Sequence, residues 1–536
     1  MDEKNPSQQA KRYKGVIIIC IFAGKKPRPQ VYFRFRFRLG KKYLIMTAFL
    51  ISLAVLIGGY FIYGLFVERI VGLDSSRPMP ANTMTDGVDF VPLPAWKVFL
   101  IQFLNIAGLG PIFGAIMGIM FGPAAFLWIV FGTIFGGAVH DFLSGVISIR
   151  RQGASLPEIV GEQLGLSVKQ VMRGFSLLLM ILVGAVFVMT PASLIASMTP
   201  ESLDVTFWIA IIFIYYMLAT VLPVDKLIGN LYPVFGGALL FMALGILYML
   251  LFGGVELPAE MTTGLYNRHP GGETTPIFPM MFVSIACGAI SGFHATQSPM
   301  MARCLTNEKL ARPIFYGAMV CEGIVALIWA AAAIAFTGGY EGIAAFMADP
   351  ANGGAGGLVH KVSIEWLGVA GGILAMFGVI AAPITSGDTA LRSARLIAAD
   401  FLHIDQSKLW KRLAVSIPIF ALSFLIMMID FNVLWRYFAW CNQLLAVFTL
   451  WAVTVWLSKE VRRKIFGIFS AWWITLLPAM FMTVVCVTYI LFAPRPEGLG
   501  LPYQLSLACG LGVSLILAAI FGRSLRRRSS LKVVTD

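Results

Sequence analysis

The sequence predicts an all-α polytopic membrane protein with about 13 transmembrane helices, whose core is two five-helix repeats of opposite orientation. Three observations lead to this fold class. The chain of 536 residues is 58% hydrophobic and only 13% charged, with a mean hydropathy of +0.82. Its apolar runs are long enough to cross a bilayer. Its basic residues alternate between rich and poor loops along the chain.

The apolar runs define the elements in order. A hydrocarbon core of about 30 Å needs roughly 20 residues of helix, and an open strand cannot satisfy its backbone in lipid. The first run is 43–66, and a loop to residue 96 follows it. The other runs are 97–120, 123–148, 173–195, 206–224, 230–253, 277–301, 313–336, 364–390, 413–430, 433–457, 466–493 and 503–522. We therefore expect an extra helix in 43–96, a ten-helix core, and two further helices with a basic tail in 458–536.

Lysine and arginine residues predict the orientation. If helix 97–120 runs outwards, the loops inside hold most of the basic residues. The loops outside hold Arg268, Lys361 and Arg495. The sequence thus predicts a bacterial inner-membrane protein with a cytoplasmic C-terminus. The net charge of +14 is assigned to topology, so we expect lipids and a small-molecule solute as partners and no nucleic acid.

The N-terminal 42 residues do not fit this pattern. They carry twelve Lys or Arg residues, yet they would lie outside if 43–66 spans the membrane. Two interpretations follow. Either residues 1–42 stay inside and helix 43–66 is displaced, or the native chain starts at Met46. We favour the second.

The ten core helices divide into 97–253 and 277–457. With an odd number in each half, the second half enters the membrane from the opposite side, as in inverted repeats. The first helix of each half is glycine- and proline-rich, over Asn105–Gly114 and Cys287–Pro299. We expect both helices to be broken there. The alternative is that Gly110, Gly114, Gly118 and Gly122 only allow close helix packing.

The two breaks are the predicted substrate site, because freed main-chain groups within a membrane are tolerated where they bind a ligand. The half-helix beginning at a break suits a carboxylate. The candidate substrate-binding residues are Asn105, Gly108, Gly110, Ser291, Gly292, His294 and Gln297.

Ionisable residues inside the apolar runs are candidates for ion coupling, since they are costly in a membrane. We select Asp141 and Asp388. The carbonyl groups of a break, with the hydroxyls of Thr385 and Ser386, could hold Na⁺, while Asp388 or His294 could carry a proton. The sequence leaves these two choices open. Asp388 could also be a structural partner of Arg392, four residues further on.

Several motifs together resemble the carbon starvation protein A (CstA) family over residues 46–460. They are Asp86-Gly-Val-Asp-Phe-Val-Pro92, Asn105-Ile-Ala-Gly-Leu-Gly-Pro111, His140-Asp-Phe142, Arg150-Arg-Gln-Gly-Ala-Ser155, Ile290-Ser-Gly-Phe-His-Ala295 and Thr385-Ser-Gly-Asp-Thr-Ala-Leu-Arg392. The resemblance implies a LeuT-type fold of the amino acid–polyamine–organocation superfamily. It also implies a sodium site at Ala382, Thr385 and Ser386, and uptake of peptides or pyruvate during carbon starvation, with proton coupling for pyruvate. Longer family members have another helix before 43–66 and a longer C-terminal region.

Other functions remain open at this point. The chain could be an amino acid symporter, or a membrane metabolite sensor that does not transport. An enzyme is not expected, because the sequence holds five histidines without a zinc-protease HExxH spacing and has no GxSxG nucleophile motif. We expect no cofactor other than Na⁺ or H⁺ as coupling ion.

Overall fold

A computed structural model describes residues 49–87, 90–196, 198–221, 224–255, 264–404, 406, 408–461, 463–465 and 467–535. The basic extension 1–42 and the start of the first apolar run therefore lie outside the described residues. The described part is mostly helical, as the apolar runs predict.

The described residues of the first half form nine helices. They are α1 (Phe49–Val71), α2 (Pro80–Thr83), α3 (Ala95–Ala107), α4 (Gly110–Phe121), α5 (Ala124–Arg150), α6 (Leu156–Leu164), α7 (Leu166–Ala196), α8 (Val205–Val221) and α9 (Val224–Phe252).

The described residues of the second half add nine further helices and a two-stranded hairpin, besides short 3₁₀ turns at Gly272–Thr274 and Pro350–Asn352. The helices are α10 (277–284), α11 (His294–Ala302), α12 (Glu308–Thr337), α13 (Tyr340–Ala348), α14 (Gly354–Phe401), α15 (Leu409–Ile426), α16 (Phe431–Glu460), α17 (Trp473–Phe492) and α18 (Tyr503–Thr535). Strands β1 (Lys464–Ile465) and β2 (Phe469–Ser470) pair antiparallel between α16 and α17.

Within the described residues, 10 helices are long and apolar enough to cross a membrane, and the bent pair α3–α4 makes up to 11. The chain is therefore a multi-pass membrane protein. Two predicted spans differ from this description. Segment 206–224 forms the shorter apolar helix α8, and 277–301 is divided between α10 and α11. The total of about 13 spans stays a prediction.

Burial separates an inner from an outer set of helices. The most apolar windows of α5 and α16 are each 83% buried, whereas those of α1 and α18 are each 22% buried. On α1, Phe61 and Ile62 are exposed, as expected for side chains that face lipid. The interior contains the large buried rings of Trp329, Trp456 and Phe103. The core thus lies around α3, α12 and α16.

The loops predicted inside meet at one end of the bundle, which we call the basic end. Glu308, at the start of α12, is fully buried and accepts a hydrogen bond from Arg150 Nε at 2.7 Å. Arg77 Nε is 3.2 Å from the same carboxylate, and the amide of Asp74 donates to it at 2.7 Å. Nearby, Lys459 Nζ bonds Gln163 Oε1 at 2.8 Å. These contacts between the loops place them on one side of the helix bundle, as the charge pattern predicts.

Half-exposed ion pairs lie at the edge of the basic end. Arg151 Nε donates to Glu162 Oε2 at 2.8 Å, and Arg151 also pairs with Glu460. The hydrogen bond from Arg151 holds the pKa of Glu162 below its ordinary value. At the opposite end of the bundle, Arg436 pairs with Glu497 at 2.6 Å.

Candidate substrate and ion site

The chain breaks first between α3 and α4. Helix α3 ends at Ala107, Gly108 leaves the helical region with φ 13° and ψ −134°, and α4 begins at Gly110 with a bend of 50°. We call 108–109 the first break. A β-carbon at Gly108 would lie 3.1 Å from the ring of Phe187 on α7. Glycine therefore lets the chain turn beside a bulky side chain.

The second break is the irregular segment 285–293 between α10 and α11. Its Gly288 has φ +88°, a conformation that favours glycine. Side chains from two neighbouring helices bind this residue. Thr133 Oγ1 donates to the Gly288 carbonyl at 2.9 Å, and the Gly288 amide donates to Glu322 Oε1 at 3.0 Å. Both main-chain groups of Gly288 thus have buried partners, as unwound backbone in a membrane requires.

Asn442 on α16 holds the rest of the second break. Its Oδ1 accepts from Ser291 Oγ at 2.9 Å and from the Phe293 amide at 2.6 Å. Its carbonyl accepts from the Gly292 amide at 2.9 Å, and its Nδ2 donates to Cys287 Sγ at 3.2 Å. The structure therefore directs Ser291 and Gly292, two predicted substrate-binding residues, towards α16.

The start of α4, directly after the first break, packs against the second break. A β-carbon at Gly110 would lie 2.0 Å from Cys287 Cβ, and one at Gly288 would lie 3.4 Å from Pro111 Cα. Gly114 similarly approaches the Ser284 carbonyl, where a β-carbon would be 2.9 Å away. The two interpretations of this glycine series are thus compatible. The helix is broken, and the glycines also permit close packing.

Three predicted substrate-binding residues carry buried polar atoms that have no hydrogen-bond partner among the described residues. They are both side-chain amide atoms of Asn105, Oε1 of Gln297 and Nε2 of His294, whereas Nε2 of Gln297 donates to Thr296 Oγ1 at 3.1 Å. Gln102, one turn before Asn105 on the same face of α3, donates through Nε2 to Ser298 Oγ on α11 at 3.4 Å. The amide atoms without a partner therefore belong to α3 and α11, the two half-helices that flank the breaks.

The predicted sodium residues meet the first half-helix through Ser386. Its hydroxyl donates to the Asn105 carbonyl at 3.1 Å and to the Leu104 carbonyl at 3.4 Å, beside the first break. The hydroxyl of Thr385 donates within its own helix, to the Ala382 carbonyl at 2.8 Å. Oxygen atoms from α3 and α14 thus converge at this point.

Asp388 is fully buried on the same helix as Ser386. One of its oxygen atoms is 3.8 Å from Arg392 Nη2, an i,i+4 ion pair, and Arg392 also donates to the Ala219 carbonyl on α8 at 2.7 Å. The electrostatic neighbours of Asp388 include Tyr215 on α8. The structural pairing considered for Asp388 is therefore present, and its role in ion coupling stays a prediction.

Asp141 and His294 lie together in a buried row of titratable side chains. Asp141 Oδ2 is 3.0 Å from His294 Nδ1, and Asp141 Oδ1 is 2.8 Å from His140 Nδ1. His294 Nε2 is 3.5 Å from Glu322 Oε2. All four side chains are fully buried. The adjacent residues His140 and Asp141 contact each other, although neighbouring helical positions generally face different sides.

The sequence prediction of this site did not include Glu322, Thr133, Asn442 or Gln102. Each is a polar residue within an apolar run, which is a signal in the sequence, but packing between distant helices decides which of them reach the breaks. In the part of the chain that the structure describes, no group of three or more His, Cys, Asp or Glu residues could hold a metal ion.

The fold and the site define a class of protein: a multi-pass membrane protein whose core contains two adjacent helix breaks lined by buried polar groups. Solved structures share this fold. A crystal structure of the Eremococcus coleocola manganese transporter, 12% identical, covers 83% of this chain and 99% of its own, with a TM-score of 0.54. At this identity the likeness concerns the fold alone.

The chain belongs to the carbon starvation protein CstA family, whose family model matches residues 44–207 and 198–367. A membrane protein of Haemophilus influenzae is 43% identical over 341 residues, which cover 55% of this chain and 92% of the relative. The pyruvate/proton symporter BtsT of Escherichia coli is 29% identical over 339 residues, 52% of this chain and 47% of the symporter. The peptide transporter CstA of Bacillus subtilis is 29% identical over 350 residues, 54% of this chain and 58% of the transporter. The chain thus spans about half the length of these two named transporters.

Proposed function

We propose that this protein is a secondary active transporter for the uptake of peptides or pyruvate, driven by a proton or sodium gradient through alternating access. One observation carries the proposal: the residues directly after the first break pack against the second break inside the helical core, and amide atoms with no partner among the described residues lie in the flanking helices. A buried amide without a partner costs roughly 1–3 kcal/mol, so a transported solute is a reason to retain it. The named functions of the two relatives support the substrate class.

The proposed architecture is a LeuT-like pair of inverted repeats, 97–253 and 277–457, within the amino acid–polyamine–organocation superfamily. Both breaks fall in the first helix of a half, as inverted repeats require. The helices before and after the core are additions to it. In the bacterial inner membrane, the basic end would face the cytoplasm, and the C-terminus with it.

The substrate would lie between α3 and α11, with its carboxylate at Nδ2 of Asn105. Oε1 of Gln297 would accept a hydrogen bond from a solute donor such as a peptide N–H, because Nε2 of Gln297 already donates to Thr296 Oγ1 at 3.1 Å. Pyruvate and peptides share a carboxylate, and an amide nitrogen is a suitable donor to it. Gly108 and Gly110 would shape the floor of this site by letting the chain approach closely. Ser291, Gly292 and His294 would act from the second break, whose position their contacts with Asn442 and Asp141 determine.

Two coupling sites are compatible with these contacts. A sodium ion would take oxygen ligands from Ala382, Thr385 and Ser386 together with the α3 carbonyls that Ser386 reaches. A proton would instead be carried by a buried carboxylate, Asp141 or Asp388.

The test is uptake by proteoliposomes that contain the purified full chain. Radiolabelled pyruvate and a panel of dipeptides and amino acids are offered under a proton gradient and, separately, under a sodium gradient. We expect concentrative uptake of pyruvate or a dipeptide, abolished by the ionophore that collapses the effective gradient. Absence of uptake for every solute by folded protein would overturn the proposal.

Asn105→Ala tests the placement of the substrate. A hydrogen bond to a charged group is worth roughly 1.5–3 kcal/mol, so the half-saturation concentration is expected to rise at least about tenfold. Asn307→Ala is the matched control, because Asn307 caps a short turn at the basic end, away from the breaks. An unchanged half-saturation concentration in Asn105→Ala would contradict the placement.

A further inference from the structure

Glu322 is a buried carboxylate to which neither the predicted site nor the relatives assign a role. It lies on α12, fully buried, and links two structures. Its Oε1 accepts the Gly288 amide in the second break at 3.0 Å, and its Oε2 is 3.5 Å from His294 Nε2. His294 in turn contacts Asp141 on α5, and Asp141 contacts His140. Helices α5, α11 and α12 thus contribute to one line of titratable side chains.

His294 lies between the two carboxylates of this line, Asp141 and Glu322. Imidazole has two distinct ring nitrogens, and in His294 one faces each carboxylate. The 3.0 Å contact with Asp141 is within hydrogen-bond range, whereas 3.5 Å to Glu322 exceeds it. A small approach of α11 to α12 would therefore close the second contact, and a small separation would isolate Glu322.

The charge balance of this line also favours a mobile proton. In the described structure, the charged groups that act on Glu322 are His294 and Asp141, and Cys287 and His140 are the further titratable groups beside them. The line holds two carboxylates and two histidines, because His140 contacts Asp141 at 2.8 Å. It is neutral only when two protons are bound among these four side chains, and buried unpaired charge is costly. Binding of one H⁺ converts a carboxylate to a carboxylic acid, and its release restores the carboxylate.

The protonation state of Glu322 affects both breaks through its hydrogen bond with the Gly288 amide. An ionised carboxylate accepts an amide hydrogen bond about twice as strongly as a neutral group does. Gly288 in turn packs against Pro111 beside the first break, where a β-carbon would lie 3.4 Å from Pro111 Cα. Protonation of Glu322 would therefore loosen the second break where it packs against Pro111.

We propose that Glu322 is a proton-carrying residue of the transporter, and that it couples protonation of the Asp141–His294–Glu322 line to movement of the second break through the Gly288 amide. This inference rests on the proposed transport function and selects the proton as the coupling ion. Glu322 acts on the solute only through the break, so it is a positioning residue rather than a substrate ligand.

Glu322→Gln is the central test, in proteoliposomes with radiolabelled pyruvate and alanyl-alanine. Glutamine keeps an oxygen for the Gly288 amide but cannot carry the proton. Two assays are compared: accumulation driven by an imposed proton gradient, and solute counterflow at equal pH on both sides. A gradient of about two pH units supports up to about 100-fold accumulation at one proton per solute. We expect the variant to lose this accumulation and to retain counterflow.

Thr133→Val is the matched control. It removes the other side-chain hydrogen bond to Gly288, from Thr133 Oγ1 to the carbonyl, and introduces no change in titration. We expect accumulation and counterflow to fall together in this variant. If the two activities also fall together in Glu322→Gln, or if the variant accumulates solute as the wild type does, Glu322 is not a proton carrier.

Glu322→Asp keeps the inference testable should the glutamine variant fail to fold. Aspartate retains a titratable carboxyl at a greater distance from His294, so we expect residual accumulation with a shifted pH dependence. An unchanged pH profile would overturn the inference. Wild-type uptake that follows a sodium gradient and ignores protons would overturn this inference alone, whereas absence of wild-type uptake would overturn the proposed function itself.

Discussion

At the scale of single residues, glycine is the residue type that makes the site possible. Gly110 faces Cys287 so closely that a β-carbon would lie 2.0 Å from Cys287 Cβ. Gly174, in the N-terminal part of α7, is exposed and has no atom within 4 Å of the same position. Both glycines are helical, but only Gly110 is buried against a neighbouring segment. Packing therefore requires a glycine at position 110 but not at position 174.

We predict that Gly110→Ala destabilises the protein, because overpacking a close contact costs about 1–3 kcal/mol. Gly174→Ala is expected to be neutral or slightly stabilising, by up to about 1 kcal/mol, since alanine restricts the unfolded chain. Thermal unfolding of the purified variants in detergent gives the comparison. Equal midpoints for the two variants would contradict the close contact between Gly110 and Cys287.

A second-site change tests the same contact more sharply. In the double variant with Gly110→Ala and Cys287→Gly, the clashing Cβ is removed and the next atom, Cys287 Cα, is 3.4 Å away. We expect the double variant to recover stability relative to Gly110→Ala, after subtraction of the effect of Cys287→Gly alone. Additive effects of the two changes would show that the residues do not touch.

At the scale of elements, the second break is held by side chains rather than by a helix. Asn442 is the principal partner, since it binds the Ser291 hydroxyl and the Phe293 amide through one oxygen atom. Thr449, further along α16, is also buried, but its hydroxyl donates within its own helix, to the Leu445 carbonyl. An irregular segment of nine residues is thus held by one amide side chain together with Thr133 and Glu322.

Asn442→Ala is predicted to destabilise the break more than Thr449→Ala destabilises α16. The first change leaves the Phe293 amide buried without an acceptor, at a cost of roughly 1–3 kcal/mol, whereas the second removes a bond worth about 1 kcal/mol. Hydrogen exchange of peptides over 285–293 measures this directly. We expect faster exchange in Asn442→Ala only, and equal exchange in both variants would count against the pinning role.

The basic end offers a second element-scale test. Glu308 is fully buried between Arg150, Arg77 and the Asp74 amide, so Glu308→Ala removes the carboxylate partner of the largely buried Arg150 at a cost of about 3 kcal/mol or more. We expect faster exchange over the 72–80 loop and a lower thermal midpoint.

Glu162→Ala is the control for this change. It removes an arginine partner at the same end, but the Glu162 side chain is 43% exposed, and such pairs contribute about 0–1 kcal/mol. The lowered pKa of Glu162 means that its pair with Arg151 is intact above the ordinary glutamate pKa and is lost only as the pH falls through the lowered value. If Glu162→Ala lowered the thermal midpoint more than Glu308→Ala does, this would contradict the buried position of the Glu308 ion pair.

At the scale of the whole molecule, the sequence predicted most of the membrane-spanning helices and the regions of both breaks. The second break ends at Phe293, so His294 and Gln297 lie in the helix α11 and not in the break. Hydropathy and the Gly-Pro clusters around Gly110 and Gly288 are local properties, so sequence alone reveals them.

The partners of the breaks could not be predicted in this way. Glu322, Thr133 and Asn442 come from three helices far apart in the chain, and each is a polar residue in an apolar run. Their roles follow from packing between helices.

Orientation in the membrane is a property of the whole molecule as well. Ser167 and Ser202 are exposed residues just inside and just beyond the two ends of α7, at the basic end and the opposite end respectively. In a cysteine-free background, we expect an impermeant maleimide to label Ser202→Cys in intact cells, and Ser167→Cys only after the membrane is opened. The reverse labelling would contradict the positive-inside orientation.

The most direct test of the central claim is an electron cryo-microscopy structure of the full chain in lipid nanodiscs with the transported solute bound. We predict solute density between α3 and α11, in contact with the amides of Asn105 and Gln297, and a chain that leaves helical geometry at 108–109 and 285–293. Continuous helix across both segments, or solute bound away from them, would contradict it.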